Sequence, residues 1–179
     1  MELQLPEGWI GWDNSPIVLF HGTLLSSVAS IVSNVDITRG EADTDFGRGF
    51  YTSTLLSQAI DWAERKAITA PILEEPAVVR LKVNRLALSR LTHLGFVRGA
   101  RDAEDFWRFV FHCRQERPHI LQSESYYDVV YGPVAEVWDD PPHRSVFPHF
   151  DQISFHTSES QVLLNNGLYC EKEIIDDWR

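Results

Sequence analysis

Cysteine is scarce in this 179-residue chain: Cys113 and Cys170 are its only two. Two isolated thiols define neither a disulfide scaffold nor a closed zinc site, so both are read as reduced thiols of a cytosolic protein. No apolar run is long enough to cross a bilayer, which argues against membrane insertion. The N-terminus lacks the basic-then-apolar order of a secretory leader. Export by machinery that needs no cleaved leader stays open, so the expected location is the cytoplasm of the producing cell or of a target cell. Positive charge is also in deficit, with 16 Lys and Arg against 26 Asp and Glu and a formal net charge of −10. Such a chain repels a phosphate backbone at long range, which argues against a general nucleic-acid binder. Arg39, Arg48, Arg65 and Lys66 nevertheless cluster around one glycine-bearing segment and leave room for a local basic pocket.

Several catalytic signatures are missing too. No serine sits in G-x-S-x-G. The seven histidines include no H-E-x-x-H pair, so no metal site is expected. Gly47 and Gly49 give G-x-G without the third glycine of a dinucleotide fingerprint, and they enter a strand rather than leave one. No internal repeat and no regular βαβ rhythm is visible, which points to an α+β fold.

What is present suits one domain over residues 1–179, with 1–16 as an irregular arm packing Trp9 and Trp12 on the body. The hydrophobic fraction, 44%, is ordinary for a globular chain. Ile17 to Phe20 reads as a short buried strand, followed by a helix capped by Thr23 or Ser26 and stopped at Asn34. Residues 35–49 read as a loop and Phe50 to Thr52 as a strand. Thr54 is the expected N-cap of a helix over 55–68, whose apolar face carries Ala59, Trp62, Ala63 and Ala67. Ala77 to Val83 alternates as a strand. Asp102 to Arg117 reads as a helix ended by Pro118, with Asp102, Glu104 and Asp105 as acids facing its dipole. Tyr126 to Tyr131 is a strand stopped by Gly132-Pro133, and residues 138–149 a loop. Gln152 to His156 is a strand, Ser158 and Gln161 form a capping box for a short helix closed by Gly167, and Leu168 to Ile175 is the last strand.

Two segments carry chemistry. In one, His21-Gly22-Thr23 follows an apolar strand, and Gly22 would let a ligand approach the main chain closely. A capping or core histidine is the competing reading. In the other, Asp45-Phe46-Gly47-Arg48-Gly49-Phe50-Tyr51-Thr52 feeds a tyrosine from a flexed turn toward the same cleft, against the plainer reading of a turn into a core strand. Trp62 is read as core rather than a substrate contact, and Glu64 and Arg65 as solvated.

With Leu19-Phe20-His21-Gly22-Thr23, Asp45 to Thr52, Gln58-Ala59, Trp62-Ala63, Tyr127 to Ala135 and Asp151 to Thr157, the chain resembles the ADP-ribosyltransferase superfamily. It is most similar to a bacterial and phage family of small domains long catalogued as of unknown function. The likeness runs from about Val18 to about Leu164, and the ordered set is specific although each member alone is weak. It implies a split β-sandwich with flanking helices around a cleft for NAD, which is consumed as substrate. The type is the diphtheria-toxin and poly-ADP-ribose-polymerase kind, with a His, Tyr and Glu triad. His21 would hydrogen-bond the nicotinamide-side ribose, Gly22 would bind the carboxamide, and Tyr51 would stack on the nicotinamide ring. Thr23, Asp45, Gly49 and Phe50 would contribute to the site, and Thr52, Ser53 and Thr54 would frame it.

The sequence departs from that pattern at one point. Gln152 stands where the catalytic glutamate is expected, keeping a hydrogen bond and losing the charge. Either the domain transfers only a single ADP-ribose to a strong nucleophile, or another acid such as Asp151, Glu159 or Asp45 takes the role, or the domain binds NAD-like ligands without turnover; if Ser154 is the true equivalent, Gln152 is instead a substrate-side residue. The implied activity is mono-ADP-ribosylation of a macromolecule by a toxin or effector. A protein acceptor is slightly favoured over nucleic acid, and an antitoxin or immunity protein is the matching partner. A non-catalytic NAD-sensing or protein-binding module and an NAD glycohydrolase are the alternatives.

Overall fold

Period-two alternation makes the strands and helical spacing the helices, and the two interleave along the chain. The computed structural model describes residues 16–97, 103–117, 127–175 and 178. In order these form β1 (Ile17–Leu24), α1 (Leu25–Ser33), β2 (Phe50–Thr52), α2 (Leu56–Thr69), β3 (Pro76–Val83), α3 (Arg85–Leu88), β4 (His93–Gly95), α4 (Ala103–Arg114), β5 (Val129–Val137), β6 (Ser145–Phe155), α5 (Ser158–Asn165) and β7 (Cys170–Ile175). Short 3-10 turns lie at Ile37–Arg39 and Pro141–His143. The expected arm 1–15 with its tryptophans, Asp102, Pro118 and Tyr126 fall outside the described residues.

The architecture is α+β, with two sheets ordered β1-β3-β7 and β2-β6-β5-β4. Among the described residues only the β4–β5 pair is parallel. A bridge between Phe20 and Ser53 links the sheets, each residue's N–H donating to the other's carbonyl at 2.8 and 2.9 Å. The alternation of β3 explains its central place. Ala77, Val79, Leu81 and Val83 enter the largest core, beside Leu19, Val28, Phe155 and Leu164. Val78 points the other way, onto Ala59 and Ala63 of α2. Each fully buried Val or Leu contributes about 1.5–3 kcal/mol. A separate aromatic core of Phe46, Phe106, Val110 and Val130 seats α4 on the larger sheet.

Gly22 is what lets α2 lie so close to β1. A Cβ there would stand 2.1 Å from the Ala59 carbonyl oxygen. The bare backbone therefore makes room for the helix, a use the sequence did not suggest.

Several element boundaries differ from expectation. β1 runs on through His21-Gly22-Thr23, and Leu24 caps α1 without a side-chain bond, so neither Thr23 nor Ser26 does. Leu55, not Thr54, caps α2; the Thr54 hydroxyl goes to Asp151 instead. Gly132-Pro133 does not end β5. Proline removes one donor, and the ladder shifts register between Pro133 and Ala135 and continues. Part of the expected loop 138–149 is the start of β6. The capping box lies one residue earlier, with Thr157 at the cap and Ser160 at N3, and Asn166 rather than Gly167 closes the helix. The four-residue α3 and three-residue β4 are too short for periodicity to reveal.

Gly22→Ala should lose about 3 kcal/mol or more, because two backbones cannot both yield. Gly167→Ala, with nothing within 4 Å of its added Cβ, should change stability by less than about 0.5 kcal/mol. Urea unfolding of the two variants checks the contrast; equal midpoints would remove the explanation for Gly22.

Candidate functional site

A cavity of about 610 Å³ opens beside the Phe20–Ser53 bridge, walled by β1, α1, the 36–45 segment, β2, α2, α4, β5 and β6. That volume suits a small-molecule ligand. Most residues singled out from the sequence for the site line it: His21, Gly22 and Thr23 of β1, Asp45 and Gly49, Phe50, Tyr51 and Thr52 of β2, Ser53, and Gln152 of β6; Thr54 does not.

His21 is held by its backbone neighbours. Its Nδ1 donates to the Tyr51 carbonyl at 2.6 Å, and its ring stacks on Phe50 with centroids 4.3 Å apart. Burial, aided by the charge of Lys66, pulls its pKa down to about 3. The ring is therefore neutral, with its proton on Nδ1 because a carbonyl only accepts. Nε2 carries the lone pair and suits a ligand hydroxyl.

Strand geometry assigns the neighbouring backbone. Main-chain groups of alternate residues leave the same edge of a strand, so Gly22 points as Phe20 does, away from β3. Its carbonyl accepts from Lys66 Nζ at 2.9 Å; its N–H has no acceptor among the described residues. Burial lowers the Lys66 pKa, and nearby Glu41 opposes that.

The turn before β2 is tied through Tyr51. Its hydroxyl donates to the Gly47 carbonyl at 2.7 Å and accepts from the Phe46 N–H at 3.0 Å, with Thr44 Oγ1 2.9 Å away. Gly47 adopts φ 78°, which favours glycine. Burial pushes the phenol well above its ordinary pKa, so Tyr51 shapes the wall and does not titrate near neutrality.

Asp45 also lines the cavity. It is 3% exposed. Its Oδ1 accepts from Arg114 Nε and Nη2 at 2.9 and 2.7 Å. Its Oδ2 accepts from the Ala135 N–H and from Gln152 Nε2, each at 2.7 Å. The other amide proton of Gln152 goes to the Pro133 carbonyl at 2.8 Å. The remaining candidates stand elsewhere. Asp151 accepts from Ser53 Oγ and the Thr54 N–H at 2.7 and 2.9 Å and does not line the cavity. Ser154 is fully buried, with Oγ 2.7 Å from His156 Nε2. Glu159 is exposed in the first turn of α5.

Trp62 corrects its expected place in the core: it is 39% exposed, lines the cavity, and carries Arg65 over its ring at 5.7 Å. Of the four basic residues near the glycine segment, Arg39 and Lys66 line the cavity. Arg48 instead donates to the Thr38 and Gly40 carbonyls. Arg114 was missed, as were Gln58 and the α1 residues Ser27 and Ser30, which also line the cavity. Arg114 lies 69 residues from Asp45, and no local pattern joins them. Both cysteines are free and buried. Burial pushes Cys113 up to about 12 and Cys170 to about 11, so neither is a thiolate at neutral pH. Among the described residues, no group of three or more His, Cys, Asp or Glu side chains is placed to hold a metal ion. No helix there is long and apolar enough to cross a membrane.

The packed histidines set a pH dependence. Folded His21 and His156 stay neutral down to about 3 and about 4, against 6.5 for a free imidazole. Between those limits the unfolded chain binds more protons. Their stabilising contribution is complete above the unfolded value and is lost as pH falls toward the folded values. Stability should drop by about 2–4 kcal/mol from pH 7.5 to 5.0. His156→Gln should roughly halve that slope in urea titrations at stepped pH; an unchanged slope would contradict it.

Comparison with known sequences adds one match. Residues 17–140 fit the family model described as "Protein of unknown function (DUF3990)", and no curated protein matches the chain. The matched span holds β1 to β5, with His21 and Tyr51, and stops short of Gln152. Since that span is more than half of the chain and contains two walls of the cavity, the chain belongs to the DUF3990 family.

Proposed function

We propose that this protein is an NAD-dependent mono-ADP-ribosyltransferase acting on a macromolecule, in the manner of a toxin or effector. One observation carries the reading: His21, Tyr51 and Gln152, from three distant segments, converge on one cavity. The placing of His21 in β1 of one sheet, and of Tyr51 and Gln152 in adjoining strands β2 and β6 of the other, supports the split β-sandwich that the resemblance implies.

The chemistry follows from the donors and acceptors. The Gly22 N–H and the neighbouring main chain would take the carboxamide. His21 Nε2 would accept from a hydroxyl of the nicotinamide-side ribose, and the Tyr51 wall would flank the ring. The bond between ribose C1′ and the nicotinamide nitrogen breaks, both electrons leaving with nicotinamide. The acceptor's lone pair then bonds C1′, and its proton passes to solvent. The neutral amide of Gln152 favours a second reading, an NAD-binding module without turnover.

Incubation with labelled NAD and cell lysate tests this. Wild type should release nicotinamide and leave label in a protease-sensitive fraction. His21→Ala should lose about 100-fold in rate through misplacement of the ribose. Nuclease-sensitive label would move the acceptor to nucleic acid, and free ADP-ribose without labelled macromolecule would identify a glycohydrolase. Binding of NAD with no nicotinamide release would establish the second reading. Equal labelling by wild type and His21→Ala would refute the proposed cleft.

A further inference from the structure

The environment of Gln152 makes the missing carboxylate less absolute than the side chain suggests. Both of its amide protons are committed, one to Asp45 Oδ2 and one to the Pro133 carbonyl. Both partners are pure acceptors, so the amide has one orientation. Its Oε1 has no donor among the described residues, although Gln152 is only 6% exposed and lines the cavity. This wall therefore presents an acceptor, suited to a ligand hydroxyl and unsuited to a carbonyl or phosphate oxygen.

Behind the amide stands a charge. A carboxylate bonded to Nε2 draws the amide toward its dipolar form and increases the negative charge on Oε1. Arg114 does not cancel that charge fully, because Asp43 also faces it, with Oδ1 3.6 Å from Nη1. Asp43, Asp45 and Arg114 together hold one net negative charge. Asp45 is the one acid among the three candidates from the sequence that lines the cavity.

We propose that Asp45 is a positioning residue that orients and polarises Gln152, so that the pair does for the ribose what a glutamate in place of Gln152 would do. The proposal rests on the ADP-ribosyl-transfer reading. As the bond from C1′ to nicotinamide breaks, positive charge grows on C1′ and the ring oxygen. A ribose hydroxyl donates to Oε1, and the buried carboxylate one amide away stabilises the developing charge. No electron is gained or lost overall.

The test uses the full chain with NAD as the probe and nicotinamide release as the readout, in wild type, Asp45→Asn, Gln152→Glu and the variant that combines both substitutions. Asp45→Asn should lower kcat about 10- to 100-fold with little change in KM, since the lost charge matters in the transition state. Gln152→Glu alone sets two carboxylates against each other and should be impaired as well. The double variant returns one carboxylate, now at the wall and bonded by the amide that Asp45→Asn introduces but facing the Pro133 carbonyl, so it should recover only part of the lost rate, about 3-fold or more over Asp45→Asn. A merely structural role for Asp45 predicts no such rescue. Melting temperature and NAD affinity show that each variant is folded, and slow exchange of the Gln152 side-chain amide protons, lost in Asp45→Asn, reads the orientation apart from activity. An Asp45→Asn chain as active as wild type, or a folded, NAD-binding double variant no better than Asp45→Asn, overturns this inference and leaves the transfer reading standing. Absence of nicotinamide release by wild type overturns both.

Discussion

The bridge between Phe20 and Ser53 is the constraint on which the site depends. Two reciprocal hydrogen bonds bring the edge of one sheet to the edge of the other. Past that point, among the described residues, the main-chain groups of β1 have no strand to pair with on their outer side, and a cavity takes the strand's place. An unpaired sheet edge is ordinarily a hazard, because it templates further pairing. Here Lys66 covers the Gly22 carbonyl, and α2 lies across the strand, so the edge is shielded from other chains yet open to a small ligand.

Two walls of the cavity use opposite electrostatic strategies. At His21, burial and a neighbouring lysine keep the ring neutral, and the geometry settles which nitrogen accepts. At Gln152, a fully bonded carboxylate stands behind a neutral amide. Leaving Asp45 without its partners would cost several kcal/mol. That one residue joins the turn before β2 to α4, β5 and β6, so folding and the shape of the wall are linked through it.

Much of this was legible in the sequence where one residue reports on its own surroundings. The alternation over Ala77 to Val83 places β3 correctly, and the candidate residues at 21–23, 45, 49–53 and 152 meet in space. What misled were residues with two physical uses. Gly22 reads as a ligand approach, and its missing Cβ also makes room for Ala59. Gly132-Pro133 reads as a stop, yet an antiparallel ladder tolerates one missing donor by slipping register. Trp62 shares a helical face with Ala59 and Ala63, but the small alanines make the contact and leave the large ring at the margin. Arg114 pairs with Asp45 across 69 residues, and pairing at that range leaves no trace in local spacing.

Gln58 has a mechanical consequence for the cavity. Its Oε1 accepts from the Asp151 N–H and lies 2.9 Å from Ser53 Oγ, and its Nε2 donates to the Asp151 carbonyl. One buried side chain thereby bolts helix α2 to β6, beside Ser53 at the join between the two sheets. The cavity is a vice with its jaws welded at the hinge. Selection among ligands then falls to a gap set during folding, so little ordering of the walls is left to oppose binding.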